Sequence, residues 1–144
     1  MSRIKIFLLV AVLLTTLLLI GCNIRSTPMT AIQPAPKEVQ LTEKGGSCGA
    51  GVGLNTGDKL VLILEGNPST GYSWEVGFYV PEVIKPVGEP VYQSDSNLIG
   101  ASGTYTYQFS AVGEGHVTLR MIYHRPLEKD APVLKTCEVT VDVN

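Results

Sequence analysis

An all-β sandwich of about seven or eight short strands is the fold that this amino-acid text predicts. Three observations carry the prediction. Apolar, β-branched and aromatic residues recur at every second position through the second half of the chain. Clusters of Gly, Pro and Asn interrupt them at short intervals. No window holds a helical period, and proline is scattered through the body.

The chain has 144 residues and opens on a segment unlike the rest. Arg3 and Lys5 precede an apolar run from Ile6 to Ile20, broken only by Thr15 and Thr16. The run is short for a spanning helix, which needs ~20 apolar residues, and suits a signal peptide over residues 1–21. Its end, Leu19-Ile20-Gly21-Cys22, resembles the bacterial lipobox. That resemblance implies lipid attachment at the Cys22 thiol, cleavage before it, and a place in the bacterial envelope, on a periplasm-facing membrane or the cell surface. Several acyl chains on one residue hold far better than one. An ordinary signal peptide with an incidental Cys, or an uncleaved anchor, are the other readings. Residues 22–37 then form a tether: Pro28, Pro34 and Pro36 stand among Ser and Thr, a composition that keeps a chain extended.

The folded domain is expected over residues 38–144. Val39 and Leu41 alternate with polar neighbours. Leu60-Val61-Leu62-Ile63-Leu64 is an apolar run of strand length. Tyr105, Tyr107 and Phe109 share one face of the next strand, and Val117, Leu119, Met121 and Tyr123 one face of another. Val139, Val141 and Val143 close the series. Turns are expected at Gly66-Asn67-Pro68, around Gly100 to Gly103, at Gly113-Glu114-Gly115 and from Arg125 to Pro132.

Composition excludes several function classes. Eleven basic residues face thirteen acidic ones, and losing Arg3 and Lys5 with the signal leaves a net charge of −4. A mildly acidic domain gives no electrostatic case for nucleic-acid binding, which usually needs a basic face. The histidines, His116 and His124, belong to no zinc pattern and share one strand's polar face. Gly100-Ala101-Ser102-Gly103 is not a nucleophile elbow, and no phosphate-binding loop occurs. The Glu128 and Asp130 pair reads as a solvated loop. No catalytic residue, metal or cofactor is therefore expected. Cys48 and Cys137 remain in the body; an oxidising compartment permits a structural disulfide between them, with two free thiols as the alternative.

One stretch is more specific. Asn67-Pro68-Ser69-Thr70-Gly71-Tyr72-Ser73-Trp74 resembles the Asn-Pro-Thr-Thr-Gly-Tyr/Phe-x-Trp signature of chagasin-type inhibitors of papain-like cysteine peptidases. Two further motifs follow in the family's order. Gly100-Ala101-Ser102-Gly103 resembles its Gly-x-Gly-Gly, with Ser102 in place of glycine. Arg125-Pro126-Leu127 resembles its Arg-Pro-Trp, with Leu127 in place of tryptophan. The resemblance runs from about Gly57 to Asn144.

The resemblance implies an immunoglobulin-like antiparallel β-sandwich whose three motif loops meet at one end. They fill a peptidase cleft as a wedge without being cleaved, and the protein acts as a monomer. The peptidase-binding set is then Asn67, Pro68, Ser69, Thr70, Gly71, Tyr72, Gly100, Ala101, Ser102, Gly103, Arg125, Pro126 and Leu127. The residue types suit the task. Pro68 fixes its own φ and restricts Asn67, so little loop entropy remains to be lost on binding. Gly71 opens a backbone geometry closed to other residues. Thr70, between them, offers its hydroxyl and backbone to a polar active site. Trp74 is read as core, and Tyr72 divides between loop support and contact. The competing class is a non-inhibitory immunoglobulin-like envelope lipoprotein that acts in adhesion or protein–protein interaction.

Overall fold

A computed structural model describes residues 35–43, 48–49 and 51–144. The signal segment, Cys22 and most of the tether lie outside the described residues. The described residues form nine strands: β1 (Glu38–Thr42), β2 (Gly51–Leu54), β3 (Lys59–Gly66), β4 (Ser73–Phe78), β5 (Ile84–Pro86), β6 (Val91–Ser94), β7 (Gly103–Ala111), β8 (Gly115–His124) and β9 (Lys135–Val143). One sheet runs β1-β3-β7-β5, with β6 also on β7; the other runs β2-β9-β8-β4.

The core lies between the two sheets. In the first sheet, antiparallel register sets Leu60 against Phe109, Leu62 against Tyr107 and Leu64 against Tyr105. In the second, Leu119 faces Val139, Val117 faces Val141 and Trp74 faces Tyr123. All of these side chains are buried. Alternation produces this arrangement directly, because successive strand side chains point to opposite faces. Burying a Leu or Phe contributes roughly 1.5–3 kcal/mol, so this double layer is the main stabilising element. Tyr107 is buried as well; its hydroxyl donates to the Trp74 carbonyl, and burial pushes its pKa up to about 12.

Two features differ from the expected antiparallel pattern. β1 pairs with β3 in parallel, and β2 pairs with β9 in parallel, so both sheets are mixed. A parallel pair needs a long crossover, and here the chain passes through the opposite sheet between β1 and β3. Strand β2 itself, Gly51-Val52-Gly53-Leu54, is half glycine, which hides its alternation in the sequence. Its Val52 and Leu54 are buried, while Gly51 and Gly53 stay exposed.

The parallel β2–β9 pairing also explains the disulfide. Gly51 lies opposite Thr140, and Cys48 and Cys137 each sit three residues before those partners. In a parallel pair that equal offset brings them side by side, with Cα atoms 5.0 Å apart, and they are bonded. The bridge spans 89 residues, for which the chain-entropy treatment gives a stabilisation of roughly 4 kcal/mol.

Candidate functional site

Three connections meet at one end of the sandwich: residues 67–72 between β3 and β4, 95–102 between β6 and β7, and 125–134 between β8 and β9.

The first loop is a single 3-10 turn over Pro68–Thr70 with a cap at each end. Asn67 has φ −136° and ψ 99°, the extended geometry that a following proline imposes. Its Oδ1 accepts from the Ser69 N–H at 3.1 Å and the Ser69 hydroxyl at 2.6 Å. This is N-capping compressed into one turn. At the other end Gly71 has φ 80°, and its N–H donates to the Pro68 carbonyl at 3.0 Å. A left-handed φ of this kind is why a glycine stands there. Thr70 is exposed at the turn's end, but its hydroxyl turns back to donate to the Asn67 carbonyl at 2.6 Å. Thr70 therefore presents its methyl group and backbone outward rather than a free hydroxyl.

Asn67 also joins the first loop to the second. Its Nδ2 donates to the Gly100 carbonyl at 2.8 Å. The second loop closes on itself, with the Asp95 N–H bonded to the Ser102 carbonyl at 2.9 Å and the Ala101 N–H to the Leu98 carbonyl at 3.2 Å. Gly100 turns the chain with φ 81°. Gly103 behaves differently from its motif neighbours. It is buried at the start of β7, and a Cβ there would lie 2.2 Å from the Gln93 carbonyl oxygen. Close strand packing, not surface contact, accounts for this glycine.

The third loop reaches the first through Arg125. Its guanidinium lies 4.7 Å from the Tyr72 ring centroid, and Nη1 donates to both Glu128 carboxylate oxygens at 2.9 and 3.2 Å. The Glu128 N–H in turn bonds the Arg125 carbonyl, closing a turn around Pro126 and Leu127. Tyr72 is half-buried between this cation and Tyr123. It props the loop, and the cation–π contact is worth ~0.5–1 kcal/mol at a partly exposed site. Trp74 is buried, with its indole N–H on the Glu65 carbonyl at 3.0 Å, as a core residue should be.

The structure brings together every one of the thirteen residues named from the motifs, either at the loop surface or directly beneath it. It also adds two that sequence reasoning missed. Leu98 and Ile99 stand at the tip of the second loop, almost wholly exposed, as is Leu127 on the third. Exposed aliphatic side chains at the end that carries the motif loops make that end a candidate contact surface. The available signal was a Leu-Ile pair stranded in a Ser/Asn/Gly turn. The two histidines are separately engaged: His116 pairs with Asp142 on the outer face of the second sheet, and His124 pairs with Glu75 at 2.8 Å. Among the described residues no group of three or more His, Cys, Asp or Glu could hold a metal ion.

The profile described as "Chagasin family peptidase inhibitor I42" matches residues 53–141. Among solved structures, the fold is similar to that of the cysteine protease inhibitor EhICP2 from Entamoeba histolytica, with a TM-score of 0.65 and 24% identity over 78% of this chain and 100% of that one. It is also similar to amebosin, with a TM-score of 0.56 and 25% identity over 76% of this chain and 99% of that one. No curated protein matches the chain. The matched span contains all three motif loops and strands β3 to β8, and the chain belongs to the chagasin family of peptidase inhibitors, which are not enzymes.

Proposed function

We propose that this protein is a reversible inhibitor of papain-like cysteine peptidases that occludes the active-site cleft with its three loops. The observation that carries this reading is the linkage of the loops before any partner arrives. Asn67 holds Gly100, and Arg125 covers Tyr72, so the three tips share one surface. A wedge of this kind needs no chemistry of its own. It binds because its backbone is already ordered, and it resists cleavage because its carbonyls are not held in an attackable geometry. The first loop enters deepest; Leu98, Ile99 and Leu127 rest on the cleft walls. EhICP2, which shares the fold, is described as a cysteine protease inhibitor.

The rest of the chain supplies location. Residues 1–21 are a lipoprotein signal, Cys22 carries lipid, residues 22–37 are the tether, and residues 38–144 are the inhibitor domain, working as a monomer. The domain then faces the periplasm or the exterior of a bacterial envelope.

Titration of soluble residues 23–144 against papain and cathepsin L, with a serine peptidase as control, tests inhibition. Stoichiometric, reversible loss of cysteine peptidase activity alone is expected. Absence of inhibition from folded protein would leave the non-inhibitory envelope lipoprotein instead, a reading that Leu127 in place of tryptophan favours. Metabolic labelling with an alkyne fatty acid tests the anchor: Cys22→Ala should lose the label, and equal labelling would remove the lipid claim.

A further inference from the structure

Tyr123 is the last inward-facing residue of β8, buried beneath the loops. Its hydroxyl accepts a hydrogen bond from the Asn67 backbone N–H at 2.8 Å. Its ring stacks on Tyr72, with centroids 5.4 Å apart and planes inclined by 28°. Asn67 and Tyr72 are the first and last residues of the first loop. One side chain therefore grips both ends of a segment whose middle is exposed. Tyr123 is itself held from below. Its ring packs on Trp74 at 5.2 Å, and the Lys135 Nζ lies 5.8 Å from its centroid. Arg125, two residues further along the chain, covers Tyr72. A column thus runs from the core tryptophan, through Tyr123, to the first loop and the cation of the third.

We propose that Tyr123 is the positioning residue of the inhibitory end: its hydroxyl fixes the entry of the first loop and its ring fixes the exit. The proposal rests on the inhibitor reading of that loop. A six-residue loop with both ends clamped has few conformations to lose when it enters a cleft. Without the hydroxyl, the half-buried Asn67 N–H loses its acceptor, and the loop's entry point is freed to move. Tyr123 touches no peptidase; it acts entirely through Asn67 and Tyr72.

Tyr123→Phe isolates the effect, because the ring and its stacking remain. Amide hydrogen exchange at Asn67 and inhibition of papain are both measured, with Val141→Ala in the β9 core as a control for general destabilisation. Tyr123→Phe is expected to speed Asn67 exchange and weaken inhibition by about fivefold to tenfold, the consequence of losing the hydroxyl's hydrogen bonds to the Asn67 N–H and carbonyl. Val141→Ala is expected to lower the melting temperature at least as much and leave inhibition unchanged. Asn67 exchange that stays at the wild-type rate overturns the proposal. So does faster exchange accompanied by wild-type inhibition. If the wild type inhibits neither papain nor cathepsin L, the inhibitor reading falls, and with it the purpose assigned here; Asn67 exchange still decides separately whether the clamp exists.

Discussion

The two ends of the sandwich are built on opposite plans. At the end away from the motif loops, the β2–β3 turn stitches strands from both sheets together. The Thr56 N–H bonds the Asn144 carbonyl, the Gly57 N–H bonds the Ala111 carbonyl, and the Ala111 N–H returns to the Asp58 carbonyl. The buried Asp58 carboxylate takes the Lys37 and Asn55 N–H groups at 2.7 and 2.8 Å. Backbone donors there are directed to other strands. At the loop end the hydrogen bonds stay mostly within each loop, and large aliphatic side chains point to solvent. One end closes the fold; the other presents a rigid, apolar surface. Stability and recognition should therefore separate under mutation, and each substitution below strikes one end.

Thr70→Arg should have the largest effect. The side chain stands at the exposed end of the 3-10 turn, where an enclosed interface contact would form. Contacts at an interface centre dominate the binding energy. A long charged group there is expected to cost at least ~2 kcal/mol, or about thirtyfold in inhibition constant, chiefly through faster dissociation. The melting temperature should hold, because no core residue is touched. An inhibition constant that stays level would mean that the first loop is not the wedge.

Leu98→Ser combined with Ile99→Ser comes next. Both side chains are exposed and support nothing in the free protein. Covering two aliphatic side chains partially on a cleft wall is worth ~1–2 kcal/mol, so inhibition should weaken about tenfold. Removing them should also improve solubility, since exposed aliphatic patches promote association. Unchanged inhibition would confine the contact surface to the first and third loops.

These two residues show where the sequence speaks only faintly, through an apolar pair in a polar turn. Long strands with one apolar face, such as β7, β8 and β9, are legible because period two has one simple physical cause. The first loop is legible because Asn before Pro, and Gly at a left-handed φ, are demanded by its geometry. Strand β2 is hidden by its glycines, and β5 and β6 are only three and four residues long. Parallel pairing leaves no mark, since alternation is the same in either direction. Leu98 and Ile99 look like core residues in the text; only the fold shows that they face water. Gly103 errs the other way: its motif suggests contact, and its surroundings show packing. The Arg125–Tyr72–Tyr123 column required side chains from two loops and a strand, which no linear pattern joins.

Leu127→Trp sharpens the comparison in the constructive direction. Leu127 stands free on the third loop, with Arg125 and Glu128 closing the turn beneath it. Replacing it with tryptophan enlarges the apolar surface without disturbing that turn. Binding should tighten by ~1 kcal/mol, roughly fivefold, if the third loop docks beside the first. Surface plasmon resonance should show the change in the dissociation rate. Weaker binding would mean that the cleft wall facing this loop is shaped around the smaller side chain.

Asp58→Asn should have the smallest effect on inhibition, namely none, and its whole effect on stability. The Asn55 N–H above all, and then the Lys37 N–H, hold the Asp58 carboxyl below the usual carboxylate range. The native state therefore binds fewer protons at this site than the unfolded chain does. The stabilisation is complete at pH values above the unfolded pKa of about 3.9, and it is lost as pH falls through the lower native value. Thermal melting of the wild type should accordingly fall steeply below about pH 4, where Asp58→Asn, having no carboxyl to titrate there, shows a shallower slope. At neutral pH the variant should melt lower, since one buried acceptor becomes an N–H₂ group facing a backbone donor. Its inhibition constant at a temperature where both proteins are folded should match the wild type. A variant that melts like the wild type but inhibits poorly would contradict the division between the ends, because it would place recognition where the fold is closed.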